Sequence, residues 1–103
     1  MTATTHEIKL GDKVIALEVT AKAAARVSSY FGGFVPAHNA VREIDLFAYR
    51  RIIAVGLDQP LTDDDGLEAA IFAAGPIDIQ GSVLKYLDLL VTGGRGSQPA
   101  DQK

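Results

Sequence analysis

The dipeptide Gly11-Asp12 constrains the fold of this chain more than any other feature. It separates His6–Leu10 from Lys13–Val19, two runs in which apolar and polar residues alternate. A two-residue loop with glycine first suits a type II′ hairpin turn, because only glycine takes that first position without strain. The loop length then sets the register: Leu10 opposite Lys13, Ile8 opposite Ile15, His6 opposite Leu17. Side chains alternate across a strand, so His6, Ile8, Leu10, Ile15, Leu17 and Val19 share one face. Glu7, Lys9, Val14, Ala16 and Glu18 share the other, which is mostly wet. Two strands alone are marginal in water, so the apolar face needs helices over it.

The rest of the chain supplies them. Thr20 is a natural N-cap for a helix over Ala21–Phe31, and Gly32-Gly33 is its stop. On that helix Ala23, Ala24, Val27, Tyr30 and Phe31 fall on one side, with Lys22, Arg26 and Ser29 opposite. Phe34–Glu43 is expected to contain a short helical turn opened by Pro36, with Val41 and Ile44 inward. Asp45 reads as the cap of a helix over Leu46–Leu57, ended by Asp58-Gln59-Pro60. Thr62-Asp63-Asp64-Asp65 resembles a capping box and predicts a helix over Asp63–Ala74, stopped at Gly75-Pro76. A last helix is expected over Ile77–Thr92, ending at Gly93-Gly94. The predicted class is therefore α+β, mostly α: an N-terminal β-hairpin followed by a small bundle of four or five helices. Residues 1–5 read as a flexible lead, 6–94 as a single globular domain, and 95–103 as a disordered tail.

Composition matters mainly for what it excludes. The chain has 103 residues, 48% of them apolar and 22% charged, which is ordinary for one globular domain. It has no cysteine, hence no thiolate nucleophile and no cysteine-ligated metal. A formal net charge of −3 offers no general attraction to nucleic acid, and Arg42, Arg50 and Arg51 are offset by Glu43 and Asp45. Polar Met1–Thr5 followed by His6, Glu7 and Lys9 does not make a secretory signal. No run approaches the ~20 apolar residues of a membrane span. A cytoplasmic location is expected.

Catalytic chemistry is not legible. The two histidines, His6 and His38, lie far apart and outside any metal-ligand spacing. Asp63-Asp64-Asp65 already has a role at a helix N-terminus, where carboxylates complement the dipole. Gly93-Gly94-Arg95-Gly96 ends a helix instead of opening one, so it cannot cradle a phosphate there. The reading is a non-enzyme with no cofactor and no metal.

The positive signal is surplus apolar surface. On the helix over Leu46–Leu57, the residues Leu46, Tyr49, Ile52, Ile53, Val55 and Leu57 spread around much of the wheel. Phe47 falls between Arg50 and Arg51 on the only polar sector. Phe72 lies across its helix from the stripe Leu67, Ala70, Ile71 and Ala74. Each aromatic is read either as capped or covered within the fold, or as an anchor for a partner, since aromatics and arginine are enriched in binding hot spots. The last helix carries Ile77, Ile79, Val83, Leu84, Tyr86, Leu87, Leu90 and Val91, with Leu89 as a stray apolar group beside Lys85 and Asp88. Phe47, Arg50, Arg51 and Phe72 are the candidate protein-binding residues.

The order of these features carries a resemblance. The turn Leu10-Gly11-Asp12-Lys13 leads through Leu17-Glu18-Val19-Thr20 to an alanine-rich helix ending Tyr30-Phe31-Gly32-Gly33. Ile52-Ile53-Ala54-Val55-Gly56-Leu57, the acid-capped Thr62–Ala74 and Val83-Leu84-Lys85-Tyr86-Leu87 follow in turn. Over residues 6–94 this resembles the small tail assembly chaperones of long-tailed phages, in the branch found in gene transfer agents and prophages. Val27-Ser28-Ser29 departs from the Leu/Glu-rich first helix common in that family. The resemblance implies binding of the tape measure protein, and of tail tube subunits, in the host cytoplasm, with no catalytic residues. Self-association is a further expectation. The competing readings are a structural virion piece, such as a tail terminator or head-tail connector, and a small bacterial adaptor or regulator.

Overall fold

The computed structural model describes residues 5–58 and 66–94. Two antiparallel strands, β1 (Thr5–Leu10) and β2 (Lys13–Glu18), precede five helices. These are α1 (Ala21–Phe31), α2 (Phe34–Arg42), α3 (Leu46–Gly56), α4 (Leu67–Ala74) and α5 (Pro76–Val91). The class is α+β and mostly α, as the patterning predicts.

The hairpin has the predicted register, with Leu10 opposite Lys13, Ile8 opposite Ile15 and His6 opposite Leu17. Gly11 has φ 65°, and Asp12 is not among the positive-φ residues, which is the type II′ signature. Thr5 belongs to β1 and not to a flexible lead. Ile8, Leu10 and Leu17 are buried, whereas Glu7, Lys9, Val14, Ala16 and Glu18 are exposed.

α3 and α5 form the centre. Tyr49, Ile52 and Ile53 of α3 meet Val83, Tyr86 and Leu87 of α5 in one buried cluster with Leu17, Val27 and Val41. Each such side chain contributes about 1.5–3 kcal/mol by leaving water. Gly56 allows α3 to press against β2: a Cβ there would lie 2.6 Å from the Leu17 Cβ. The Tyr86 hydroxyl donates to the Glu18 carbonyl, tying α5 to the end of β2.

The helix ends follow cap chemistry. The Thr20 hydroxyl accepts from the Ala23 amide at 3.1 Å. α1 closes with Gly32 at φ 76° and the Gly33 amide on the Ser28 carbonyl. α2 closes by the same six-residue geometry, the Asp45 amide bonding the Ala40 carbonyl at 3.1 Å. Here Ile44, at φ 57°, occupies the left-handed position that glycine usually takes. Its side chain packs against the core, which offsets the backbone cost.

Several boundaries differ from expectation. α2 begins at Phe34, two residues before Pro36, because any of the first helical turn's amides can be missing without loss. α4 begins at Leu67, not Asp63: Gly66 is left-handed at φ 76° and interrupts a right-handed helix. Thr62–Asp65, residues 1–4 and the tail 95–103 lie outside the described residues. On α1, Tyr30 is partly exposed, with the Arg26 guanidinium 5.7 Å from its ring. On α5, Ile77 and Val91 are exposed, while Leu89, expected as a stray surface group, is buried. A wheel gives angles but not which of them the neighbouring elements cover. Among the described residues no single helix is long and apolar enough to cross a membrane.

Candidate protein-binding site

The start of α3 is fixed by Asp45, whose carboxylate accepts from the Phe47 amide at 3.0 Å and the Ala48 amide at 3.3 Å. From Ala48 to Gly56 every residue is buried except Arg51, which is half-buried. Only the first turn stands clear, so Leu46 and Phe47 face solvent, Phe47 with 55% of its surface exposed.

Phe47 lies between the two arginines that follow it one turn later. The Arg51 guanidinium carbon is 5.6 Å from the ring centroid and that of Arg50 is 6.0 Å away. Each cation over an aromatic face is worth about 0.5–1 kcal/mol at an exposed site. The two arginines are not equivalent. Arg50 is only 3% exposed, so its assignment to a solvated polar sector is corrected: the bundle covers that flank of Phe47. Phe47 is thus flanked by the arginines and still more than half exposed.

Phe72, at 73% exposure, is the most exposed aromatic among the described residues. Its helix buries Leu67 and Ile71 and half-buries Ala70 and Ala74, leaving Phe72 on the outer side as the wheel predicts.

Hydrogen bonds tie together the helix ends near these residues. The Tyr49 hydroxyl donates to the Pro76 carbonyl at 3.1 Å, fixing the first turns of α3 beside the α4–α5 junction. Gln80 Nε2 donates to the Val41 and Arg42 carbonyls, each at 3.2 Å, and so closes the C-terminus of α2 onto α5. Leu46 and Phe47 belong to the first turn of α3, and Phe72 and Ile77 lie either side of the Gly75-Pro76 corner that Tyr49 reaches. Leu46 and Ile77, counted among the surplus apolar residues of their helices but not as candidate contacts, are exposed too. A hydrophobic residue in the first turn of a capped helix was the available signal, because first turns tend to protrude.

A second polar cluster joins β1 to α5. His6 Nε2 lies 2.9 Å from the Ser82 carbonyl and 3.3 Å from its hydroxyl, and the His6 ring stacks on Tyr86 at 6.1 Å. A carbonyl only accepts, so Nε2 carries the proton and cannot withdraw one from Ser82. The arrangement is a tether and does not activate a nucleophile. Burial, and next the Glu18 carboxylate, hold the Tyr86 phenol above its ordinary range. His38 Nδ1 bonds the Phe34 carbonyl at 2.7 Å within α2. Among the described residues no group of three or more His, Asp or Glu is placed to hold a metal.

An apolar groove of about 240 Å³, lined by Val19, Thr20, Ala21, Ala24, Leu90 and Gly93, lies toward the opposite end of α5. It does not continue into the Phe47 surface. Comparison with protein-family models, curated proteins and solved structures finds no match.

Proposed function

We propose that the chain is a non-catalytic tail assembly chaperone of the phage, prophage and gene transfer agent type, acting in the host cytoplasm. In this reading it holds apolar helical segments of a tape measure protein, and tail tube subunits as a second client. One observation carries it. Leu46, Phe47, Phe72 and Ile77 are large apolar side chains left exposed at the start of α3 and beside the α4–α5 corner. Such a surface suits an amphipathic helix laid against it, with ring and aliphatic anchors taking its apolar face. The Arg51 guanidinium beside Phe47 adds a cation at the rim.

Co-expression with a tape measure protein tests the reading. The expected result is co-purification and a gain in that protein's solubility, both reduced by Phe47→Ala and Phe72→Ala. Neither co-purification nor a solubility gain from the parent chain would sink it. Mass spectrometry of purified particles separates this function from that of a structural virion piece, since a chaperone is absent from the finished particle.

A further inference from the structure

The hairpin has an edge left unpaired among the described residues, with a charge pattern that selects one way of pairing, and the aromatic end plays no part in it. In a two-residue hairpin, Leu10 and Lys13 form the closing hydrogen-bonded pair. Backbone groups of His6, Ile8 and Leu10 therefore point into the ladder, and those of Thr5, Glu7 and Lys9 point away from it. Among the described residues these outward groups of β1 make no hydrogen bond. On β2 the outward carbonyl of Glu18 is already taken by Tyr86. β1 is thus the edge whose outward backbone groups are all unbonded among the described residues.

We infer that β1 pairs antiparallel with β1 of a second copy, on a two-fold axis through Ile8. Outward groups must face outward groups, so the residues opposite each other are odd-numbered on both strands. If Glu7 faces Glu7 of the second copy, or Lys9 faces Lys9, like charges oppose. The register that centres Ile8 on itself places Glu7 opposite Lys9 and, by symmetry, Lys9 opposite Glu7. Both side chains are exposed and lie on the same solvent face of the hairpin. Pairing β1 with β2 of the second copy sets Glu7 against Ala16 or Glu18, or matches only Lys9 with Glu18, whose carbonyl is already taken by Tyr86. Edge charges of a single sign repel another edge, but here the signs alternate. The product is an open four-stranded sheet with the helices of both copies on one side, and its new edges are the partly occupied β2 strands.

Sedimentation velocity across a concentration series of the full chain tests this. The parent is expected to dimerise, and Glu7→Lys to weaken dimerisation roughly tenfold or more, because each dimer carries the altered pair twice. Glu7→Lys combined with Lys9→Glu restores opposite charges in this register and is expected to recover dimerisation. Glu7→Pro removes only an outward N–H and is expected to block dimerisation while circular dichroism stays that of the parent. A parent that is monomeric at its highest soluble concentration overturns the inference. So does a dimer unaffected by Glu7→Lys, or a double variant that fails to recover.

Discussion

Replacing Gly56 with alanine is expected to destabilise the fold, although alanine is the better helix former. The added Cβ would sit 2.6 Å from the Leu17 Cβ, 2.9 Å from Leu17 Cδ2 and 3.0 Å from the Tyr86 hydroxyl oxygen. The favourable side is helix propensity, at most about 0.8–1.0 kcal/mol and less at the last residue of a helix. The unfavourable side is overpacking, about 1–3 kcal/mol in a well-filled core. It belongs at the upper end here, because the nearest atom is a Cβ fixed to the backbone of β2 and cannot rotate away. The net cost is about 1–2 kcal/mol, which for a domain of this size lowers the melting temperature by about 4–16 °C. Urea denaturation followed by far-UV circular dichroism measures it, with an unchanged slope showing that the unfolded state is not altered. The clash lies between two Cβ atoms, so Leu17→Ala does not rescue Gly56→Ala. A Gly56→Ala variant as stable as the parent, or rescue by Leu17→Ala, would refute the close approach of α3 and β2.

Asp45→Ala removes the acceptor for the Phe47 and Ala48 amides and is expected to cost about 0.5–2 kcal/mol in urea denaturation; no loss would mean α3 starts without its cap. At Ile44 the usual order is expected to invert. Ile44→Gly should be more stable than Ile44→Ala by about 1 kcal/mol, since both lose the side chain but only alanine retains the left-handed strain; alanine above glycine would contradict the backbone conformation. Tyr86 and Tyr49 are both held above the ordinary phenol value of 10.0, mainly by burial. Folded pKa values above unfolded ones leave stability intact below about pH 10 and erode it as pH rises further, by up to about 1.4 kcal/mol per pH unit for each tyrosine. Urea midpoints that stay flat from about pH 8 to about pH 11 would oppose this, and Tyr86→Phe should reduce the slope. Phe47→Ala is expected to leave the melting temperature near that of the parent while weakening client binding in a pull-down. A large thermal loss would instead make Phe47 part of the core.

The hairpin was legible because local chemistry decides it. Gly11-Asp12 sets the loop length, the loop sets the register, and period-two alternation then assigns every side chain to a face. α1 was legible for the same reason, with a threonine cap at one end and a glycine in the left-handed region at the other. Where one end signal was missing, the boundary moved. α4 was read from Asp63 because carboxylates after a threonine favour a helix start, but Gly66 adopts a left-handed conformation that no capping signal announces. Ile44 was read as inward, which it is. Its backbone could not be read, because the strain is tolerated only when burial of the same side chain offsets it, and burial depends on α5 and α3.

The site shows the same division between angle and environment. Relative to Phe47, a helix rotates Arg50 by about 60° one way and Arg51 by about 40° the other, so a wheel treats them as equal flanks of one ring. The bundle does not: Arg50 is buried, while Arg51 stays half-exposed. That asymmetry gives the surface a direction. Under the proposed function, a client helix reaching Phe47 approaches over the Arg51 flank, where it meets an accessible cation at the edge of an apolar ring. Arg50 then contributes to binding only by holding Phe47 in place, and its loss falls first on stability, through the packing of its stem. Arg50→Ala should therefore lower the melting temperature more than Arg51→Ala, while Arg51→Ala weakens client binding with the fold unchanged. Equal thermal effects of the two substitutions would mean that the covered flank of Phe47 is not where the structure puts it.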